Sequence, residues 1–195
     1  MISDMEFMGL KVGDLATWAG AIGSVLAAIA AWRAARIALR IAQTDAERRE
    51  MQVARRAEVH AAYIFNQILL VYGFADPVQA MAEVVRSCDP AQLGDRLYEL
   101  MKLADGWREL LNKVPASSIA ELPDECAAPT AGAVSSVLYT IENIDSLWEK
   151  FKRGNRDYDR IIKIAELIIK RCVNIRHNFH PYIAYAKERF GYEVE

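Results

Sequence analysis

"LATWAGAIGSVLAAIAAWRAARIALR", residues 15–40, decides how the chain is read, because the eighteen residues 15–32 carry no charge and three arginines follow at once. As an α-helix rising 1.5 Å per residue they cover about 27 Å, close to the roughly 30 Å hydrocarbon layer of a bilayer. Val12, Gly13, Ala34 and Ala35 extend the run, since Arg33 and Arg36 have stems long enough to carry their guanidinium groups out to headgroups. Trp18 and Trp32 fall towards opposite ends, where indole rings favour the membrane–water boundary. The pattern predicts a transmembrane helix over 15–35, with Trp18, Trp32, Arg33, Arg36 and Arg40 at its interfaces. Only Leu15, Ile22, Val25, Leu26 and Ile29 are strongly apolar aliphatics, each contributing about −0.3 to −0.6 kcal/mol to insertion, so a helix buried inside a soluble oligomer is the competing reading. A cleaved signal peptide is not expected. The leading "MISDMEFMGLKVGD" is acidic rather than basic, and the helical pattern runs on past the apolar part.

Charge on either side sets an orientation. Before the span stand Asp4, Glu6 and Asp14 against Lys11; after it come Arg33, Arg36, Arg40, Arg48, Arg49, Arg55 and Arg56. Basic flanks stay cytoplasmic, so residues 1–14 are expected as a short external tail and the bulk of the chain inside, at a bacterial inner membrane. Within the span Ala16, Gly20, Ser24 and Ala28 recur every four residues, a strip of small side chains along which a second helix backbone can approach. A homo-oligomer is the expected assembly, with the lipid bilayer as its other partner.

The remaining sequence excludes several classes. With 195 residues and 53% hydrophobic content there is material for a sizeable core. A formal net charge of −2 gives no general polyanion-binding signature, so no specific nucleic acid is expected. Cys88, Cys126 and Cys172 are scattered, odd in number and free of CxxC spacing, which predicts reduced thiols rather than a disulfide framework or a zinc site.

Between Arg33 and Tyr72 there is neither glycine nor proline, so the spanning helix is expected to continue as a charged stalk over 36–60, although "TDAE" at 44–47 has capping-box form and offers a restart. A helical bundle is expected over 61–195, entered by the seam Ala62, Phe65, Leu69 and Tyr72. Gly73 and Pro77 end that helix. A second follows over about 77–86, and Asp89 with Pro90 marks the start of a third carrying Leu93, Leu97, Leu100, Met101, Trp107, Leu110 and Leu111. "PASSIAELPDECAAPTAG" with its three prolines reads as the main loop. A fourth helix over about 131–152 is expected to bury Val134, Val137, Leu138, Ile141, Trp148 and Phe151, and "RGN" breaks it. The fifth carries Tyr158, Ile161, Ile162, Ala165, Ile168, Ile169, Cys172, Ile175 and Phe179, until Pro181 kinks or restarts it. No sustained strand alternation appears, so the fold class is all-α.

For chemistry, GxSxG, HExxH, P-loop and GxGxxG motifs are missing, and no cofactor or metal is expected. One polar cluster stands out, "RCVNIRHNFHP" at 171–181. His177 and His180 lie three apart and would need His60 or Cys172 to complete a metal site. The spacing of Arg171 and His177, with five residues between, resembles the RNase motif of the HEPN superfamily, small helical bundles that act on RNA. What the resemblance implies is His177 moving a proton from a ribose hydroxyl while Arg171 steadies phosphorane charge. Cys172 stands where that motif has a polar residue, and the bland alternative is a basic helix end bonded to carbonyls and acids.

The opening "DLATWAGAIGSVLAAIAAW" with its arginine-rich continuation resembles the amino-terminal part of uncharacterised bacterial and prophage single-pass membrane proteins with a cytoplasmic helical domain. The likeness covers the first quarter of the chain and carries no catalytic residue. It implies a membrane-anchored effector or sensor of a defence or mobile-element locus, triggered by a cytoplasmic protein or small molecule, with a passive scaffold and a tethered HEPN-like RNase as alternatives.

Overall fold

The computed structural model describes residues 6–7 and 10–191, with side chains from Thr17 onward. The fold is all-α. Two two-residue strands, β1 (Glu6–Phe7) and β2 (Leu10–Lys11), pair antiparallel ahead of the helices, Glu6 opposite Lys11 and Phe7 opposite Leu10. Six helices follow: α1 (Val12–Gly73), α2 (Ala75–Ser87), α3 (Leu93–Leu111), α4 (Ala116–Ala120), α5 (Asp124–Lys152) and α6 (Tyr158–Phe190). The chain divides into two units, Met1–Val53 and Ala54–Glu195, and α1 contributes to both.

In the first unit α1 is unbroken. Thr44 does not restart it, because its hydroxyl donates to the Arg40 carbonyl one turn back (2.9 Å), the internal use of a threonine rather than a cap. The run lacks glycine and proline from Arg33 on, and nothing in it interrupts the helical hydrogen-bond ladder.

The second unit is a bundle with one core. From α1 it takes Ala61, Ile64, Phe65, Ile68 and Val71, whose 3–4 spacing puts them on one face. Of the predicted seam only Phe65 is fully buried, and Ala62, Leu69 and Tyr72 lie at its edge. α6 passes through the centre, burying Ile161, Ala165, Ile168, Cys172, Ile175, Phe179 and Tyr182, and packs on both α5 and α2, while α3 packs on α5 and α2 from the other side. Polar atoms tie these helices at fixed points. Trp107 Nε1 donates to the Val71 carbonyl (2.9 Å), the Tyr182 hydroxyl to the Ala61 carbonyl, Arg189 to Glu58 (2.6 Å), and Arg108 of α3, which also bonds Asp105 on its own helix, to Asp145 of α5. Phe74 packs closely against α3 at Gly106, where a Cβ would stand 3.1 Å from the ring and the ring would have to shift slightly.

Several boundaries differ from the sequence expectation. α2 starts at Ala75, leaving Pro77 inside its first turn, where a missing N–H costs nothing. Asp89 and Pro90 form a turn instead of a helix start, with Asp89 Oδ1 accepting from Ala91 N (3.4 Å), and α3 begins only at Leu93. The largest difference is the expected loop at 115–132. Pro115 and Pro123 occupy the N-cap positions of α4 and α5, and Pro129 is carried within α5, which runs to Lys152. α6 likewise continues through Pro181. The break after α5 is a left-handed Gly154 (φ +85°), and the Asp157 side chain caps α6 by accepting from Arg160 N (3.1 Å). Leu138, Tyr158 and Ile162, expected inside, are exposed.

Candidate functional site

Among the described residues one helix, near the amino terminus, is long and apolar enough to cross a membrane, and none of its apolar window is buried in the fold. Exposure of its large side chains runs from 44% at Ile29 to 65% at Trp18. At about 100° per residue, Trp18, Ile22, Val25, Leu26, Ile29 and Trp32 fall within an arc of about 120°. Arg33, Arg36 and Arg40 continue that same arc beyond Trp32. The Arg36 guanidinium lies over the Trp32 ring at 4.4 Å.

The opposite side carries the small residues. Four-residue steps advance about 40° each, so Ala28 drifts some 80° round from Gly20. Gly20 and Ser24 share their face more closely with Ala27 and Ala31, two positions that four-step counting passes over and helical angles find. Ala16 lies outside the residues whose side chains are described. Gly20 and Gly23 have open space where a Cβ would stand, so the fold of the single chain does not demand glycine there. Ser24 donates its hydroxyl to the Gly20 carbonyl (2.9 Å), which satisfies the group without water.

In the bundle, the cluster at 171–181 does not converge. Arg171 and His177 lie six positions apart on an unbroken helix and so point about 120° apart. Arg171 lays its guanidinium 3.8 Å over the Tyr139 ring of α5, with Nη1 buried and without a hydrogen-bond partner, whereas His177 and His180 are exposed. Arg176 turns to α2, donating to Asp76 and Gln79. His60 sits 3.3 Å from Ser118 Oγ, and Cys172 faces the core. Among the described residues no three His, Cys, Asp or Glu side chains are grouped to hold a metal.

Thiol chemistry finds no activated group among the buried cysteines. Burial pushes Cys172 up to about 12, and burial with the nearby Glu125 carboxylate pushes Cys126 up to about 11, so both stay protonated and poor nucleophiles at neutral pH. The three cysteines are unpaired by disulfides. An open groove of about 420 Å³ between α4 and α5 is lined by Ala116, Ile119, Ala120, Ala127, Ala131 and Val134 among others, without a titratable side chain. It offers apolar contact and no acid–base chemistry.

No protein-family model matches the chain, and no match was found among curated proteins or solved structures.

Proposed function

We propose that the chain is a membrane-anchored, self-associating helical protein of a bacterial inner membrane, with its amino terminus outside and its bundle in the cytoplasm. The observation that carries this reading is the apolar window of α1 left wholly unburied while the bundle buries a complete core of its own. Apolar surface in water costs about 25 cal/mol per Å², so a helix apolar on both faces calls for lipid or other helices around it. The bulky arc is suited to lipid, and the face of Gly20, Ser24, Ala27 and Ala31 to a second copy, because small side chains let backbones approach. The arginine excess after Trp32 sets the orientation.

Reporter fusions at both ends, together with alkaline extraction of membranes, test this reading. An embedded chain with a cytoplasmic carboxyl end is the expected result, and a chain that stays soluble without detergent overturns it. Gly20→Leu should lower the oligomer population in detergent, while Leu26→Ile on the lipid arc should not.

For its action we propose a membrane-acting effector or sensor, quiet until a cytoplasmic protein or small molecule engages the bundle. A voltage-sensitive dye in cells expressing the full chain separates this from a passive scaffold: depolarisation under phage challenge supports the effector, and an undisturbed potential leaves the scaffold. An RNase role for Arg171 and His177 gains no support from their placement on different faces of α6.

A further inference from the structure

Residues 15–44 contain Arg33, Arg36 and Arg40 and not one acidic residue. None of the three takes part in an ion pair among the described residues, although five other cations, Arg96, Arg108, Lys152, Arg176 and Arg189, form such pairs in the bundle. Asp45, the first acid in sequence, lies on another face of the helix, and Glu47, the first carboxylate on the arginine arc, is two turns beyond Arg40. The three guanidinium groups therefore stand over about 10 Å of one helix face, uncompensated, directly in line with Trp18, Ile22, Val25, Ile29 and Trp32. A surface that changes from bulky and apolar to cationic along one line matches a lipid molecule, whose chains lie beside its phosphate.

We infer that Arg33, Arg36 and Arg40 form a binding face for anionic phospholipid headgroups, rather than only a signal for orientation. The inference rests on the membrane reading above and deepens it by naming the lipid class. Three features favour a lipid phosphate over a free anion. Arginine forks meet phosphate oxygens in bidentate fashion. The indole of Trp32, carrying Arg36 at 4.4 Å, is a side chain suited to the boundary layer. The apolar arc supplies continuous contact for the acyl chains of the same lipid, which inorganic phosphate lacks. Among the described residues the arginines have no ion-pair partner and Arg36 meets only the Trp32 ring of its own helix, so replacing them should leave the helix and the bundle intact.

The test uses the full chain in phosphatidylcholine vesicles containing spin-labelled phosphatidylglycerol or spin-labelled phosphatidylcholine at the same low mole fraction. The fraction of label immobilised by protein measures relative affinity. The wild type is expected to immobilise phosphatidylglycerol well above phosphatidylcholine, and Arg33→Gln, Arg36→Gln and Arg40→Gln each to lose roughly fivefold of that preference. The triple Gln variant should reach parity while resisting alkaline extraction, and the triple Lys variant should keep part of the preference. Equal immobilisation of both labels by an embedded wild-type chain overturns the headgroup face and leaves the membrane reading standing. Extraction of the wild type by alkali overturns both. Loss of the preference on adding inorganic phosphate, but not chloride at matched ionic strength, would make the site one for free phosphate and also overturn the proposal.

Discussion

Apolar side chains of α1 meet two environments. Between Ala61 and Val71, Ile64, Phe65, Ile68 and Val71 are buried, and the opposite side of the helix keeps Asn66 and other exposed positions. Between Trp18 and Trp32 no side chain is buried, and no charged face exists at all. The difference lies in what covers each stretch. In the bundle, α3 and α6 reach this stretch, Trp107 bonding to Val71 and Tyr182 meeting Ala61 and Phe65; among the described residues of the first unit nothing covers the apolar window. An amphipathic face identifies a helix that its own fold will cover, whereas apolar residues on every side identify one covered by something else.

The largest expected effect breaks one side of that comparison only. Trp107 is fully buried and its indole N–H donates to the Val71 carbonyl, so Trp107→Ala removes both packing and a hydrogen bond. A loss of about 3–5 kcal/mol in bundle stability is expected, read by chemical unfolding in detergent, with the membrane-bound fraction unchanged at temperatures where the bundle stays folded. Next comes the reciprocal change. Val25 stands in the middle of the apolar window, and Val25→Arg should cost about 2.5–3.5 kcal/mol of insertion, shifting the chain from membrane to soluble or aggregated fractions without moving the unfolding midpoint of the bundle. If Val25→Arg instead melts the bundle, the two units are not independent.

How far these regions were legible in sequence follows the same contrast. The long helix could be read because it holds no glycine or proline from Arg33 to Tyr72, and the arginines marked its charged end. The first turns of the helix over Asp124–Lys152, ahead of the expected start near 131, were hidden because they bury Cys126 and Thr130, small or polar residues that give little hydrophobic periodicity, and because Pro123 at the N-cap and Pro129 inside the helix read in sequence as breaks. Exposure of Leu138 and Ile162 had no local signal; it depends on which helices flank α5 and α6, a tertiary fact. At 171–181 the spacing of Arg171 and His177 suggested a site, but six positions along one unbroken helix point the two side chains about 120° apart.

A smaller effect probes the joint between α1 and α6 inside the bundle. Tyr182→Phe keeps the buried ring and removes the hydroxyl that donates to the Ala61 carbonyl. Because that carbonyl belongs to a helical turn and keeps its own backbone partner, a cost of about 0.5–1.5 kcal/mol is expected from denaturant titration. A cost above that of Trp107→Ala would mean that the joint, and not the α3 packing, dominates the core.

The smallest effect is a matter of sign and concerns Asp145, which bridges from α5 to Arg108 of α3 at a half-buried site. Burial holds its carboxyl above the ordinary value; Arg108 pulls the other way, and Asp105, Glu142 and Glu149 add to the rise. A carboxyl raised in the folded state binds its proton more tightly there than in the unfolded chain. Its contribution to stability is therefore fully present below the unfolded value and is lost as pH rises through the raised folded value. Asp145→Asn removes this titration and leaves the other carboxylates in place. Unfolding of both proteins, measured at neutral pH and at intervals through the acid range, should show the wild type gaining on the variant as pH falls. The opposite trend would mean that attraction to Arg108 outweighs desolvation, and that the α3–α5 contact is held by a working ion pair rather than by the apolar side chains around it.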